Sequence, residues 1–330
     1  WAAAVLLYVF ATVGFSGGNI FYDALIVNVA SEDKLDIVSS LGFSLGYLGG
    51  GILFALNVWM MLSPATFGFA DQARAVQFSF LTAGIWWAFF SIPLFLFVKE
   101  PRTKPAVGMN SMRAGLNELW HTFKKIRGLK TISLFLLAYW LYIDGVNTII
   151  RMALDYGISI GLQSSDLIVA LLLTQFVSFP SAIGFGYLGD RIGAKRAIFA
   201  AIMVYLFVTE QAPFMETARE FYLLAVLVGL VQGGIQALSR SFYATIIPRE
   251  KSAEFFGLYN MVGKLSTIIG PGFMACVGLA ARSMGYSGNM ASRISIAAVS
   301  VFFLGGGILL FFVSQEKGKK ELQYISVSKG

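Results

Sequence analysis

Four apolar stretches carry ionisable or amide side chains at helical spacing. Asp144, Asn147 and Arg151 recur at i, i+3 and i+7; Gln232, Gln236 and Arg240 at i, i+4 and i+8; Asn260, Lys264 and Thr267 at i, i+4 and i+7. Thr174, Gln175, Ser178 and Ser181 cluster beside Pro180. Helical spacing puts each set on one face. An ionisable group facing hydrocarbon costs about 3 kcal/mol or more, so such faces turn toward a cavity or a partner helix. The chemistry on offer is recognition and proton exchange. Asp144 would be the titrating acid, Lys264 its counter-charge, and Asn147, Gln175, Gln232, Gln236 and Asn260 the groups that bind a polar solute or couple to it. A structural reading competes at each position. Asp144 and Lys264 could form an internal ion pair or snorkel to the nearer interface. The glutamines could bond helix to helix. Arg240, near one end of its stretch, is expected to snorkel.

Other chemistries find little support. A single histidine, His121, leaves no metal or His-based acid–base set, and the single Cys276 allows no internal disulfide. Gly184 to Gly189 matches G-x-G-x-x-G, but it ends an apolar helix instead of following a strand, which argues against a dinucleotide site. Gly263-Lys264 lacks the upstream glycine of a phosphate-binding loop, and Leu265 stands where Ser or Thr belongs. No cofactor, nucleic acid or ATP hydrolysis is implied, and no enzyme is expected.

The elements that must position these faces are membrane helices. Of 330 residues, 57% are hydrophobic and 13% charged, with a mean hydropathy of +0.71. That excludes an ordinary soluble domain and a disordered chain. Apolar runs of roughly 20 residues cross a bilayer as helices, because every backbone polar group must be satisfied there. Nine runs qualify: Trp1–Tyr22, Ile37–Leu62, Ala75–Val98, Thr131–Ile150, Leu167–Gly189, Ala194–Gln211, Phe221–Tyr243, Glu254–Ala280 and Ile294–Ser314. The sixth is the shortest and needs Lys195 and Arg196 to snorkel.

Loop charge gives the orientation. The 99–130 loop holds eight cations against two acids, which marks it cytoplasmic. Alternation then puts eighteen of the 25 cations on that side, and Arg74, Arg151, Arg219, Arg282 and Arg293 on the other. The net charge of +7 is thus a topology signal. Within the loop Met112, Leu116, Leu119, Trp120, Phe123 and Ile126 fall at helical spacing, as in a basic amphipathic helix lying among lipid headgroups. Gly270-Pro271 is expected to bend the eighth span. Glycines at 46, 49, 50, 51, 257 and 263 let helices approach closely.

The run Gly186-Tyr187-Leu188-Gly189-Asp190-Arg191-Ile192-Gly193-Ala194-Lys195-Arg196 resembles the signature loop of the major facilitator superfamily. Further runs at Phe21–Leu25, Ser39–Gly42, Gly46–Gly51, Gln232–Ser241 and Ser252–Asn260 resemble its vacuole-effluxer-like branch, which includes the autophagy-related vacuolar amino-acid effluxers. The resemblance covers essentially the whole chain. It implies an all-α, two-bundle membrane fold whose nine spans correspond to family helices 4–12, with three more upstream of Trp1. Residues 1–98 would close the first bundle and 99–130 link the two. Residues 131–314 would form the second bundle and 315–330 a cytoplasmic tail. It also implies that Gly186, Asp190, Arg191, Gly193, Lys195 and Arg196 form a cytoplasmic gating loop. Read from the residues alone, Asp190 is instead an N-cap for the sixth span among positive-inside cations. The implied activity is secondary transport of a small polar solute by alternating access, with amino acids the favoured substrate, efflux a candidate direction and protons a candidate coupling ion; the shortness of most loops points to a bacterial plasma membrane. A non-transporting receptor or scaffold, or the membrane subunit of an ATP-driven pump, are the alternatives.

Overall fold

The computed structural model describes residues 2–98 and 128–327, together with 115, 117 and 124. Of the amphipathic helix expected between 112 and 126, all but residues 115, 117 and 124 lies outside the described residues. Among those residues the elements are helices only: α1 (Ala2–Ala24), α2 (Ile26–Val29), α3 (Leu35–Leu62), α4 (Gln72–Phe97), α5 (Lys130–Ser159), α6 (Ser164–Ile192), α7 (Ala194–Gln211), α8 (Ala218–Thr245), α9 (Ser252–Ser283), α10 (Gly288–Ala298), α11 (Ser300–Phe312) and α12 (Gln315–Val327), with short 3-10 turns between some of them. Among the described residues nine spans, counting α1–α2 and α10–α11 as one each, are long and apolar enough to cross a membrane. The chain is a multi-pass integral membrane protein.

Helix ends follow from local chemistry. Thr217 and Glu220 form a reciprocal capping box at the start of α8. Asp71 caps α4 by accepting from the Arg74 amide at 2.8 Å. Gly193, at φ +90°, is the single residue between α6 and α7, a conformation that a side chain would strain. The sixth span gains length from a 3-10 turn, so it runs Ala194–Phe214. At α5 the cap comes from far away in sequence. Glu321 on α12 accepts from the Thr131 amide and from its hydroxyl, the latter at 3.0 Å.

Ends that alternation assigned to one face do meet. Glu32 lies 3.6 Å from Arg249 and 3.5 Å from Lys319, joining the α2–α3 turn to the start of α9 and to α12. These pairs are about half exposed, so they mark the cation-rich end more than they hold it together. Holding falls to close packing. α3 lies in a groove between α6 and α8, where small side chains let backbones meet. Ser39 donates to the Ala237 carbonyl at 2.6 Å and Ser44 to that of Phe179 at 2.7 Å. A Cβ on Gly186 would stand 2.8 Å from the Ser40 Cβ, so only glycine fits there. The aromatic rings of Phe135, Tyr139, Tyr243, Phe256 and Tyr259 tie α5, α8 and α9 together, with Tyr139 and Tyr259 stacked at 4.1 Å.

Gly270 does more than precede a proline. It lets α9 approach α5 so closely that a Cβ would overlap Thr148 Oγ1 and Asp144 Oδ1. Gly270→Ala should therefore destabilise the protein by about 1–3 kcal/mol, the usual range for overpacking. Thermal unfolding of the detergent-purified variant reads this directly; unchanged stability would mean that the α5–α9 crossing is looser than described.

Candidate functional site

Between α1 and α3 on one side and α5, α6, α8 and α9 on the other lies a cavity of about 590 Å³ with polar and apolar walls. Its floor, toward the cation-rich end, is a buried ionic network. Arg240 on α8 pairs with Asp23 on α1 at 3.1 Å, and their side chains are only 6% and 15% exposed. The remaining Arg240 donors go to α3: Nε to Ser39 Oγ at 2.9 Å and NH2 to the Ser39 carbonyl at 3.0 Å. The guanidinium also lies over the rings of Phe43 and Tyr22. Asn260 on α9 donates to the other Asp23 oxygen at 2.9 Å. One network thus ties α1 and α3 to α8 and α9. Close by, Ser241 donates a short hydrogen bond to Asp36. Every cross-contact in this group lies toward the cation-rich end, so the seam is shut there.

Arg240 therefore does not snorkel. Its charge is neutralised in place by a carboxylate from another helix, which removes the reason to reach for water. Asp23 belongs to the network but not to the sequence-based candidates, because the apolar run ends at Tyr22 whereas helical structure continues to Val29. Arg151, on the same stripe as Asp144 and Asn147, lies beyond the expected end of the fourth span at Ile150, yet α5 runs to Ser159 and Arg151 lines the cavity.

Of the candidate residues, Asn147, Gln175, Gln236, Asn260 and Lys264 line the cavity, and Asp144 and Gln232 do not. Lys264 points its ammonium over the Phe15 ring, 5.4 Å from the centroid. Asn147 donates to Ser266 Oγ at 2.7 Å, which spends part of its capacity on holding α5 to α9. Gln232 donates to the Tyr47 hydroxyl at 3.0 Å, a helix–helix bond between α8 and α3. Two members of the α6 stripe also turn to packing. Thr174 and Ser178 donate to the Ala225 and Gly229 carbonyls of α8. Asp144 is fully buried at the α5–α9 crossing against Thr148 and Gly270, and among the described residues neither of its oxygens makes a well-formed hydrogen bond. Among the described residues no Asp144–Lys264 ion pair forms.

The glycine-rich loop departs from expectation in detail. α6 continues to Ile192, so Asp190 sits in its last turn and Gly193 takes the N-cap position of α7 without any side-chain cap. Asp190 cannot be the cap, because the amides it would accept belong to a helix that starts later. Asp190, Arg191 and Arg196 are exposed. Lys195 donates to the Phe311 and Val313 carbonyls at 2.8 and 2.6 Å, closing the C-terminal end of α11 as a cation should. Gly186 and Gly189 carry the contact with α3, where Asp36 and Ser40 lie against them.

Nine apolar spans around an inter-helix polar cavity define an all-α membrane protein of the major-facilitator type. The chain belongs to the vacuole effluxer Atg22-like family, whose model matches residues 2–323. It is 38% identical over 320 residues to the uncharacterized MFS-type transporter YxiO of Bacillus subtilis, covering 96% of this chain and 72% of that protein. It is 24% identical over 322 residues to autophagy-related protein 22 of Yarrowia lipolytica, covering 87% of this chain and 52% of the relative. For autophagy-related protein 22 of Kluyveromyces lactis the identity is 25% over 337 residues, with 95% and 64% covered. The chain thus spans about half to two-thirds of the fungal relatives' length.

Proposed function

We propose that this chain is part of a secondary active transporter that moves a small polar solute by alternating access. Residues 1–98 would belong to one moving bundle and 131–314 to the other, with 99–130 as linker and 315–330 as a cytoplasmic tail. The observation that carries this reading is the cavity between them, closed at one end by the Asp23–Arg240–Asn260 network. Transporters of this architecture place their solute near the midplane, between halves that rock about it. The cation-rich end is then cytoplasmic, and the state described is closed on that side. Gly186 and Gly189 form the tight part of the gate, and Asp190, Arg191 and Arg196 are exposed beside it to engage lipid or the moving bundle.

Arg151 and Lys264 line the cavity, and Asp23 is already neutralised by Arg240. The surplus of positive charge favours a solute that carries a carboxylate. Gln175, Gln236 and the outer face of Asn147 can orient its remaining polar groups. Amino acids fit this chemistry and follow from the family resemblance, with efflux from a bacterial cytoplasm the favoured direction. Asp144 serves as the proton-coupling group. A lone carboxylate ion at that crossing would be costly, and a proton removes the cost.

Counterflow uptake in liposomes by the full-length protein, preloaded with candidate amino acids in turn, tests the reading. Accumulation of labelled solute against an unlabelled pool is expected. Its absence across carboxylate-bearing solutes, with intact fold, would leave a receptor or scaffold. Lys264→Met should raise the apparent KM for the transported solute at least tenfold with little change in thermal stability. An unchanged KM would remove Lys264 from the site.

A further inference from the structure

A second cavity, of about 360 Å³, has walls that are almost wholly apolar and is partly open. It lies among α5, α6, α7 and α8, with Phe54 of α3 and Ile296 of α10 at its edges, in the half away from the cation-rich end. Ile150, Leu171, Val208, Phe221 and Ala225 are typical of its lining, and no charged side chain contributes. Gln175 lines both this cavity and the central one, so it stands in the partition between them. Gln232 closes the inner end. It is 8% exposed, its amide nitrogen donates to Tyr47, and its Oε1 has no hydrogen-bond partner. Turning the amide over only exchanges which of its polar atoms is left over.

Two things follow physically. An apolar cavity of roughly 150 Å³ takes up benzene in preference to water, and this one is larger and open enough to admit a ligand of that kind. A buried amide atom without a partner is unfavourable and gains from any group that bonds to it. We propose that this cavity is a binding site, distinct from the central one, for a small neutral molecule built of an aromatic ring or short hydrocarbon with one hydroxyl, as in alkylphenols and medium-chain alcohols. The hydrocarbon fills the space. The hydroxyl lies at the Gln232 end, where a small rotation of the shielded amide lets it donate to Oε1 or accept from Nε2 and so satisfies either amide orientation. Ions and zwitterions find no partner there, which separates this ligand class from the solute of the central cavity.

The test reads binding and does not depend on transport. Thermal unfolding of the full-length protein is followed with 4-propylphenol and with propylbenzene, its hydroxyl-free counterpart. The phenol should raise the midpoint in a concentration-dependent way, with an apparent Kd at least fivefold below that of propylbenzene. Gln232→Leu should erase that difference. Ala225→Phe and Ala170→Phe, which each fill the cavity, should remove both shifts. Photolabelling of the unaltered protein with a diazirine-bearing alcohol keeps the test independent of whether those variants fold. Adducts are expected within 149–156, 167–175 and 221–232. No midpoint shift, shifts that persist in a folded cavity-filling variant, or labelling confined to outward-facing residues such as Phe80 and Phe95 would each overturn the assignment.

Discussion

Replacing Arg240 with methionine is expected to destabilise the protein by about 3–5 kcal/mol and to abolish transport. The magnitude comes from what is left behind. Asp23 would keep only Asn260 as a partner, in a place where its side chain is 15% exposed, and an unpaired buried charge is among the most damaging things a substitution can create. The double variant Asp23→Asn/Arg240→Met should therefore be more stable than Arg240→Met alone, because it removes the orphaned charge along with its partner. A thermodynamic cycle over the two positions reads their coupling. Arg240→Lys should not rescue, since one ammonium cannot reach Asp23 and also reproduce the two bonds to Ser39. If both singles and the double prove equally stable, the pair is a surface contact in practice and the network is not the floor of the cavity.

Asp144→Asn should separate coupling from binding. With the acid gone, accumulation driven by a pH gradient should fall at least tenfold, while counterflow exchange, which needs no proton movement, should continue. Asparagine has the size and shape of aspartate, so it keeps the close approach to Gly270. Gradient-driven accumulation at the unaltered rate would exclude Asp144 as the proton carrier. Loss of counterflow as well, in a protein that still folds, would show that its role is structural.

Much of this architecture is legible in the sequence because lipid imposes a simple rule. A run of apolar residues long enough to span must be a helix, and loop cations then orient the set. Glu32, Arg249 and Lys319 are assigned to one end by charge alone, and they do meet there. Site residues are harder to read, for reasons that differ from case to case. Asp23 escaped because a carboxylate at the end of an apolar run looks like the start of a loop; only its partner Arg240, 217 positions away, makes it tolerable inside the helix. Spacing does put Arg151 on an inward face, but the charge count assigns it to an outer loop, although α5 continues past it. Asp144 and Gln232 are inward, as their spacing requires, but spacing gives a face and not a neighbour. Asp144 meets α9 at Gly270, and Gln232 meets Tyr47 on α3, so neither reaches the central cavity. The Glu321 cap on α5 had no local signal at all, since it joins residues 190 positions apart.

For a solute to pass by the proposed mechanism, the cation-rich seam must open. Glu32 and Arg249 face each other across it, at an exposed site where substitution should be mild. In full-length protein otherwise free of thiols, Glu32→Cys and Arg249→Cys can be joined by a short, reducible methanethiosulfonate linker and assayed for counterflow. Joining the two should stop transport, and reduction should restore it. Transport at the unmodified rate with the link complete would contradict the account, because a seam that never parts could not then be the gate.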